Sequence, residues 1–391
     1  MPKALMGWGV VRRICFGRVD RMSKTPVLLT GASGSMGHEA FLELMRRTDR
    51  YDTRLLLRPS KKNKKMFASW SGQSGLEIIW GDLTDAADVK RAVSGVDYVL
   101  HPAALISPEA DRHPQAARRI NVGGTQNLLD AIRAEPDGVE RIGFVNIGSV
   151  AQYGDRLPPI EMIRVGDPLK PSVHDFYALT KCEAERLVVE SGLRRWASLR
   201  QTFIVITDLM SLLDPIMFHQ PLDQCLEFIT GRDAGYGLVQ CMEAPDEFWG
   251  RIYNMSGGPS CRATYEEFLG LQLEAHGMGD YKRCLEPNFF ATRNFHCGYF
   301  SDSEELNRYL GHFRDTKEDY FAAVAAAVPA WLRGVCRISS KPLVKRLARW
   351  YSDPMRWIKE DNQPYIEAFL GSREEWAAIP GWEERARRAA Q

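Results

Sequence analysis

The sequence predicts an α/β protein built on a doubly wound parallel sheet. Three observations carry that expectation. Aliphatic, strand-like runs alternate with helical stretches at intervals of roughly 20 to 30 residues. The first run, residues 25–30, feeds directly into the glycine-rich turn Thr30-Gly31-Ala32-Ser33-Gly34-Ser35-Met36-Gly37, and a helical pattern follows over residues 38–47. Further on, Tyr177 and Lys181 stand four apart in a helix expected over residues 175–191, so phenol and ammonium share one face.

Composition sets the outer limits. A chain of 391 residues with 26% charged and 45% hydrophobic residues can bury one large core or two domains, as soluble enzymes do. Its net charge of +1 argues against nucleic acid as the principal partner. No apolar run approaches the roughly 18 to 20 residues of a membrane span. Eight cysteines are scattered without a CxxC or a Cys/His cluster, so neither a metal site nor a disulfide framework is expected, and a cytoplasmic location is the simplest reading. Residues 1–24 are basic with a short apolar patch over 5–11 and no cleavage site behind it, which reads as an N-terminal extension or as an upstream start ahead of Met22.

Each element has its own signal. In the glycine turn the first glycine permits the tight bend, the second lets backbone approach a pyrophosphate, and the third lets helix pack on strand, with the helix N-terminus facing the anion. A second strand, residues 54–57, ends at Arg58-Pro59-Ser60-Lys61-Lys62, where dinucleotide folds meet the adenosine ribose. An acid there holds the 2′-hydroxyl, whereas an arginine accommodates a 2′-phosphate, so NADP(H) is favoured over NAD(H). The lysines of 61–65 read equally well as a solvated basic loop. A third strand, 76–80, closes with Gly81-Asp82-Leu83, which puts Asp82 where a carboxylate can accept from the adenine amino group. The fourth, 96–100, ends in His101-Pro102-Ala103-Ala104, small enough for close approach by a cofactor. An amphipathic helix over 113–134 contains Asn121-Val122-Gly123-Gly124-Thr125, and a fifth strand over 141–147 ends in Gly148-Ser149. Such sheets bind ligands beyond the carboxyl ends of their strands, which is where Ser149 stands. A phenol of ordinary pKa near 10 is a poor base at neutral pH, and a fixed cation such as Lys181 lowers it.

Together TGASGSMG, GDL, HPAA, NVGGT, GSVAQYG and YALTK resemble, in order and spacing over residues 25–258, the motif set of the extended short-chain dehydrogenase/reductase family. The resemblance implies a Rossmann-type dinucleotide-binding domain over 25–208, completed by about 225–258, and a smaller, mainly helical substrate-binding region with a C-terminal extension over 209–224 and 259–391. It implies Tyr177 as acid/base, Lys181 as the group that lowers its pKa and binds the nicotinamide ribose, Ser149 as the orienter of the substrate oxygen, and Asn121 as support for a water relay. Cofactor contacts are expected from Gly31, Ser33, Gly34, Ser35, Met36, Gly37, Arg58, Asp82, Leu83, Ala103, Ala104, Tyr177 and Lys181. Ser149 is no triad nucleophile, since no GxSxG elbow surrounds it. Val150 and Ala151 stand where sugar-nucleotide dehydratases carry acids, so dehydration is disfavoured. The expected function is an NADP-dependent oxidoreductase that interconverts a carbonyl and a secondary alcohol on a hydrophobic small molecule. Alternatives are a sugar-nucleotide epimerase with tightly held NAD, which Arg58 disfavours, and a non-catalytic dinucleotide sensor, which has no need of Ser149, Tyr177 and Lys181 together. A homodimer is the expected assembly.

Beyond the catalytic helix, residues 197–203 resemble the family's sixth strand with Gln201 in place of its usual proline; 228–235 and 251–258 resemble two further, structural segments. Residues 209–219 form an apolar stretch where the family places a substrate loop, and 287–296 gather three phenylalanines that line a pocket or pack in the core. The tail beyond 310 holds an alanine-rich helix over 320–328, a basic and aromatic run over 343–359, and tryptophans at 331, 350, 357, 376 and 382. A helix bearing Lys345, Arg346 and Arg349 beside Leu343, Leu347 and Trp350 either lies on a membrane surface, covers a partner subunit or packs on its own domain.

Overall fold

The computed structural model describes residues 24–160, 162–207, 215–339 and 341–389. The N-terminal extension, apart from Lys24, and the stretch 208–214 of the expected substrate loop lie outside the described residues.

Seven parallel strands form the central sheet: β1 (Thr25–Thr30), β2 (Tyr51–Leu57), β3 (Leu76–Trp80), β4 (Tyr98–His101), β5 (Gly143–Ser149), β6 (Trp196–Gln201) and β7 (Arg251–Met255). Their spatial order is β7-β6-β5-β4-β1-β2-β3. The order reverses between β1 and β4, and a crevice outside the carboxyl ends of the strands opens at such a reversal. Leu29 of β1 sits in register with Leu55 on one side and Leu100 on the other. Strand alternation divides the core into two layers. Val27, Leu29, Val145, Ile147, Ala197 and Leu199 bury against helices α1 (Ser35–Arg46) and α6 (Gly231–Gln240). Leu28, Leu56, Val99 and Phe144 bury against α3 (Ala86–Val93), α4 (Gly124–Ala134) and α5 (Phe176–Val189). A short basic helix, α2 (Lys61–Met66), follows β2 and is capped by Ser60, so the expected basic loop is helical.

Several boundaries move for local reasons. Helix α1 starts at Ser35, three residues before its expected start, because the turn closes on itself through Gly34 N–H to Gly31 O at 2.9 Å. Strand β5 runs over 143–149, since Gly138–Arg141 is taken by a short helix. The amphipathic helix expected over 113–134 is interrupted: a π-helical turn, Arg118–Gly123, precedes α4.

A second core covers the C-terminal region, with Phe218, Phe228, Phe268, Phe290, Phe300 and Tyr320 buried together between the sheet domain and helices α7 (Tyr265–Ala275) and α8 (Lys317–Ala327). Helices α9 (Ala330–Ile338), α10 (Lys341–Tyr351), α11 (Asp353–Glu360) and α12 (Gln363–Phe369) follow. The run 343–359 is thus two helices, separated at Ser352, whose hydroxyl donates to Phe289 O at 2.6 Å and accepts from Met355 N–H at 3.3 Å. Trp357, Ile366 and Phe369 make a small cluster of their own.

Candidate active site

The glycine turn builds a phosphate cradle out of steric necessity. Gly31 has φ +64°, and a Cβ there would stand 2.7 Å from Ala103 N; a Cβ on Gly37 would stand 2.2 Å from Gly31 O. Only glycine fits either place, so β1, the 103–104 segment and α1 converge on one spot. No side chain caps the N-terminus of α1 and no acid lies in its first turn, which leaves its leading N–H groups to an anion. Ser33 is half-buried and Ser35 exposed at this end, while the Met36 side chain lies in the core and can offer a ligand only its backbone.

The other residues expected to meet the cofactor follow the ends of β2, β3 and β4. Arg58 is exposed at the end of β2; its carbonyl accepts from Asn63 Nδ2 at 2.9 Å, while its guanidinium has no protein partner among the described residues. Asp82 ends β3, with Oδ1 accepting from both Thr84 N–H and Thr84 Oγ1 at 2.8 Å and Oδ2 uncommitted. Leu83 is buried against Gly124, so its side chain supports the floor. Ala103 and Ala104 are half-buried, Ala103 N–H donating to Thr30 Oγ1 at 3.4 Å. A closed glycine cradle, an uncapped helix start, a free guanidinium and an uncommitted carboxylate oxygen fit a dinucleotide. At the end of β6, Gln201 pairs in register with Ser149, and its Oε1 is buried without a hydrogen-bond partner, an acceptor left open beside the reacting groups.

Helix α5, which bears Tyr177 and Lys181, is held at its start by two carboxylates. Asp175 Oδ1 accepts from Ala178 N–H at 2.8 Å, and Asp111 Oδ1 accepts from Phe176 and Tyr177 N–H at 2.9 and 3.2 Å. The structure then brings Ser149, Tyr177 and Lys181 together. The Ser149 side chain lies close enough to the Tyr177 phenol to act on its pKa, and Lys181 Nζ lies 5.8 Å from the Tyr177 ring centre. Lys181 is 4% exposed and donates to Ile147 O at 2.7 Å. Burial lowers its pKa to about 8, against the opposing pull of Glu185.

Burial pushes the Tyr177 pKa up, nearby Ser149 pulls against that rise, and Asp175 adds to it. Asn121 works as a clamp: its Oδ1 accepts from Leu105 N–H at 2.7 Å, and its Nδ2 donates to Leu105 O at 2.9 Å and Thr180 Oγ1 at 2.8 Å. Both amide hydrogens are thus committed to protein, and the π-helical turn is what turns Asn121 inward to reach them.

Other residues carry the site without having been picked out from the sequence. Ser149 N–H donates to Gln152 Oε1 at 2.7 Å, Gln152 Nε2 donates to Glu185 Oε1 at 3.1 Å, and Glu185 pairs with Arg200 at 2.7 Å. His101 bridges β1 to α4: Thr125 Oγ1 donates to Asn121 O at 2.7 Å, so it accepts from His101 Nε2–H at 3.1 Å, and His101 Nδ1 accepts from Thr30 Oγ1 at 2.8 Å. Burial, and secondly Lys181, lower the His101 pKa to about 3. Of the aromatic run 287–296, Phe289 and Phe290 are core, while His296 Nδ1 reaches Asp175 Oδ2 at 2.8 Å. An Asp just before a helix is a readable cap signal; the Gln152–Glu185–Arg200 chain depends on strand order and has none.

Residues 27–200, somewhat under half of the chain, match the model of the NAD dependent epimerase/dehydratase family. Among curated relatives, the Mycobacterium tuberculosis 3 beta-hydroxysteroid dehydrogenase/Delta 5-->4-isomerase is 36% identical over 122 residues, 29% of this chain and 31% of that protein. The NAD-dependent glucose-6-phosphate dehydrogenase of Haloferax volcanii is 33% identical over 169 residues, 41% of this chain and 61% of that protein. Sanguinarine reductase of Eschscholzia californica is 30% identical over 117 residues, 30% of this chain and 41% of that protein. The chain thus spans between about a third and three fifths of the length of these relatives. The dTDP-glucose 4,6-dehydratase of Streptomyces venezuelae superposes with a TM-score of 0.59 at 18% identity, over 85% of this chain and 100% of that one. UDP-glucuronic acid 4-epimerase of Bacillus cereus gives 0.58 at 16% identity, over 83% and 100%. These two likenesses bear on the fold: a Rossmann-type sheet with a mostly helical C-terminal region.

Proposed function

We propose that this protein is an NADP-dependent oxidoreductase that interconverts a carbonyl and a secondary alcohol on an apolar small molecule. The observation that carries the reading is the grouping of Ser149, Tyr177 and buried Lys181 at the carboxyl end of β5, with Lys181 Nζ 5.8 Å from the Tyr177 ring centre. A bound nicotinamide supplies or accepts the hydride. The chain's own residues handle the oxygen and its proton. Tyr177, its pKa raised by burial, keeps its proton at neutral pH and can give it to a carbonyl oxygen that Ser149 Oγ orients. In the reverse direction the proton returns to Tyr177 as the alcohol is oxidised. Lys181 contributes positive charge beside the phenol, anchored on Ile147 O. Asn121, by tying Leu105 to Thr180, fixes the wall opposite α5.

The free guanidinium of Arg58 supports a 2′-phosphate and hence NADP. Val150 and Ala151, 3% and 0% exposed, place no carboxylate where elimination of water would need one. The hydroxysteroid and sanguinarine activities named for the relatives favour an apolar substrate. A panel of apolar ketones and secondary alcohols, with sugar nucleotides included, followed by NADPH absorbance tests the proposal. Turnover of an apolar carbonyl or alcohol with NADP(H) is the expected result; epimerisation of a sugar nucleotide with NAD retained through purification would overturn it.

A further inference from the structure

The inner and outer faces of the tail helices have different fates. Val344 and Ala348 on α10 pack against the C-terminal core, and Lys345 pairs with Glu286. That settles the packing of α10 on its own domain, yet it leaves the opposite face bare. On α9, Trp331 is 70%, Val335 50% and Ile338 85% exposed; on α10, Leu343 is 56%, Leu347 55% and Trp350 79% exposed. The spacing is four then three on α9 and four then three again on α10, one apolar stripe on each helix. Isolated exposed apolar residues need no explanation, but six large ones on two consecutive helices do.

Charge identifies the occupant. Between residues 320 and 352 the chain has six basic residues and no acid. Arg337, Arg346 and Arg349 flank the stripes, are exposed, and have no protein partner among the described residues. A self-complementary protein contact would set like charges against each other, whereas an anionic bilayer accepts arginines at its headgroups and Trp and Leu side chains at the acyl boundary. At nine and eleven residues, α9 and α10 are each far short of the roughly 20 residues that span a bilayer, so they suit the interface plane. We infer that the outer faces of α9 and α10 dock this protein on an anionic phospholipid surface, a property separate from the proposed activity.

The full chain is tested by co-sedimentation with phosphatidylglycerol/phosphatidylcholine vesicles and with phosphatidylcholine alone. Binding should be selective for the anionic vesicles and weaken with salt. Replacing Arg346 and Arg349 by Gln should lower the partition coefficient about 25-fold, from about fivefold for each charge, and the pair Trp331→Ser with Trp350→Ser should abolish it while leaving the thermal melting unchanged. Brominated lipid should quench tryptophan fluorescence in the unaltered protein. Failure to bind anionic vesicles, equal binding to both vesicle types, or equal binding by the variants would overturn the inference. So would a dimer in light scattering that the tryptophan variants render monomeric, since the stripes would then belong to a second copy.

Discussion

At Lys181 and His101, burial decides the charge state of single side chains around the phenol. Lys181 loses much of its hold on a proton, with a pKa of about 8, and His101 almost all of it, with a pKa of about 3. The His101 ring is locked in one tautomer between the hydroxyls of Thr30 and Thr125. This depression has a sign that equilibrium unfolding can read. The unfolded chain takes up a proton near pH 6.5 whereas the folded state refuses it, so the contribution of His101 is fully present above about pH 6.5 and is lost as pH falls toward about 3. Denaturant titrations across that range should show wild-type stability falling by up to about 1.4 kcal/mol per pH unit from this group, and His101→Gln should flatten that slope. An unchanged slope would mean that the ring does not hold its neutral form.

The proposed preference for NADP rests on the end of β2 and the helix after it, α2. Arg58 leaves β2 with its guanidinium unpaired, and the lysines of α2 add positive charge beside it. Arg58→Asp should weaken NADP binding by roughly 10- to 100-fold, the worth of a charge-assisted hydrogen bond, and change NAD binding far less. Titration with both cofactors measures this, and an equal loss for both would remove the 2′-phosphate from the account. The strands, the glycine cradle and the YxxxK helix were legible because each is written locally, in hydrophobic period and turn residues. The π-helical turn at 118–123 was not, because an amphipathic pattern reads the same through a one-residue bulge. The role of Asn121 followed it out of reach: its partners Leu105 and Thr180 lie 16 and 59 residues away. The rise in the Tyr177 pKa was not legible either, since spacing puts Lys181 on the right face but does not reveal how deeply the phenol is buried.

Across the whole molecule, a buried polar chain joins the site to the C-terminal region. Glu185 pairs with Arg200, Arg200 donates to the Tyr153 hydroxyl at 2.7 Å, Tyr153 donates to Asn254 Oδ1 at 2.7 Å, and Asn254 Nδ2 donates to Asp302 at 2.8 Å. Removing Glu185 leaves the Arg200 charge buried without its carboxylate, so Glu185→Ala should cost about 3 to 5 kcal/mol in unfolding free energy, measured by chemical denaturation. The chain also holds Gln152, and with it the Ser149 backbone, so the same variant should perturb the site. In the proposed reaction this scaffolding serves one proton transfer. The most direct measurement compares wild type with Tyr177→Phe for turnover and for NADP affinity. The account predicts a loss of roughly 10²- to 10⁴-fold in kcat, as for removal of a general acid, with NADP binding nearly unchanged; a Tyr177→Phe protein that turns over at the wild-type rate would contradict it.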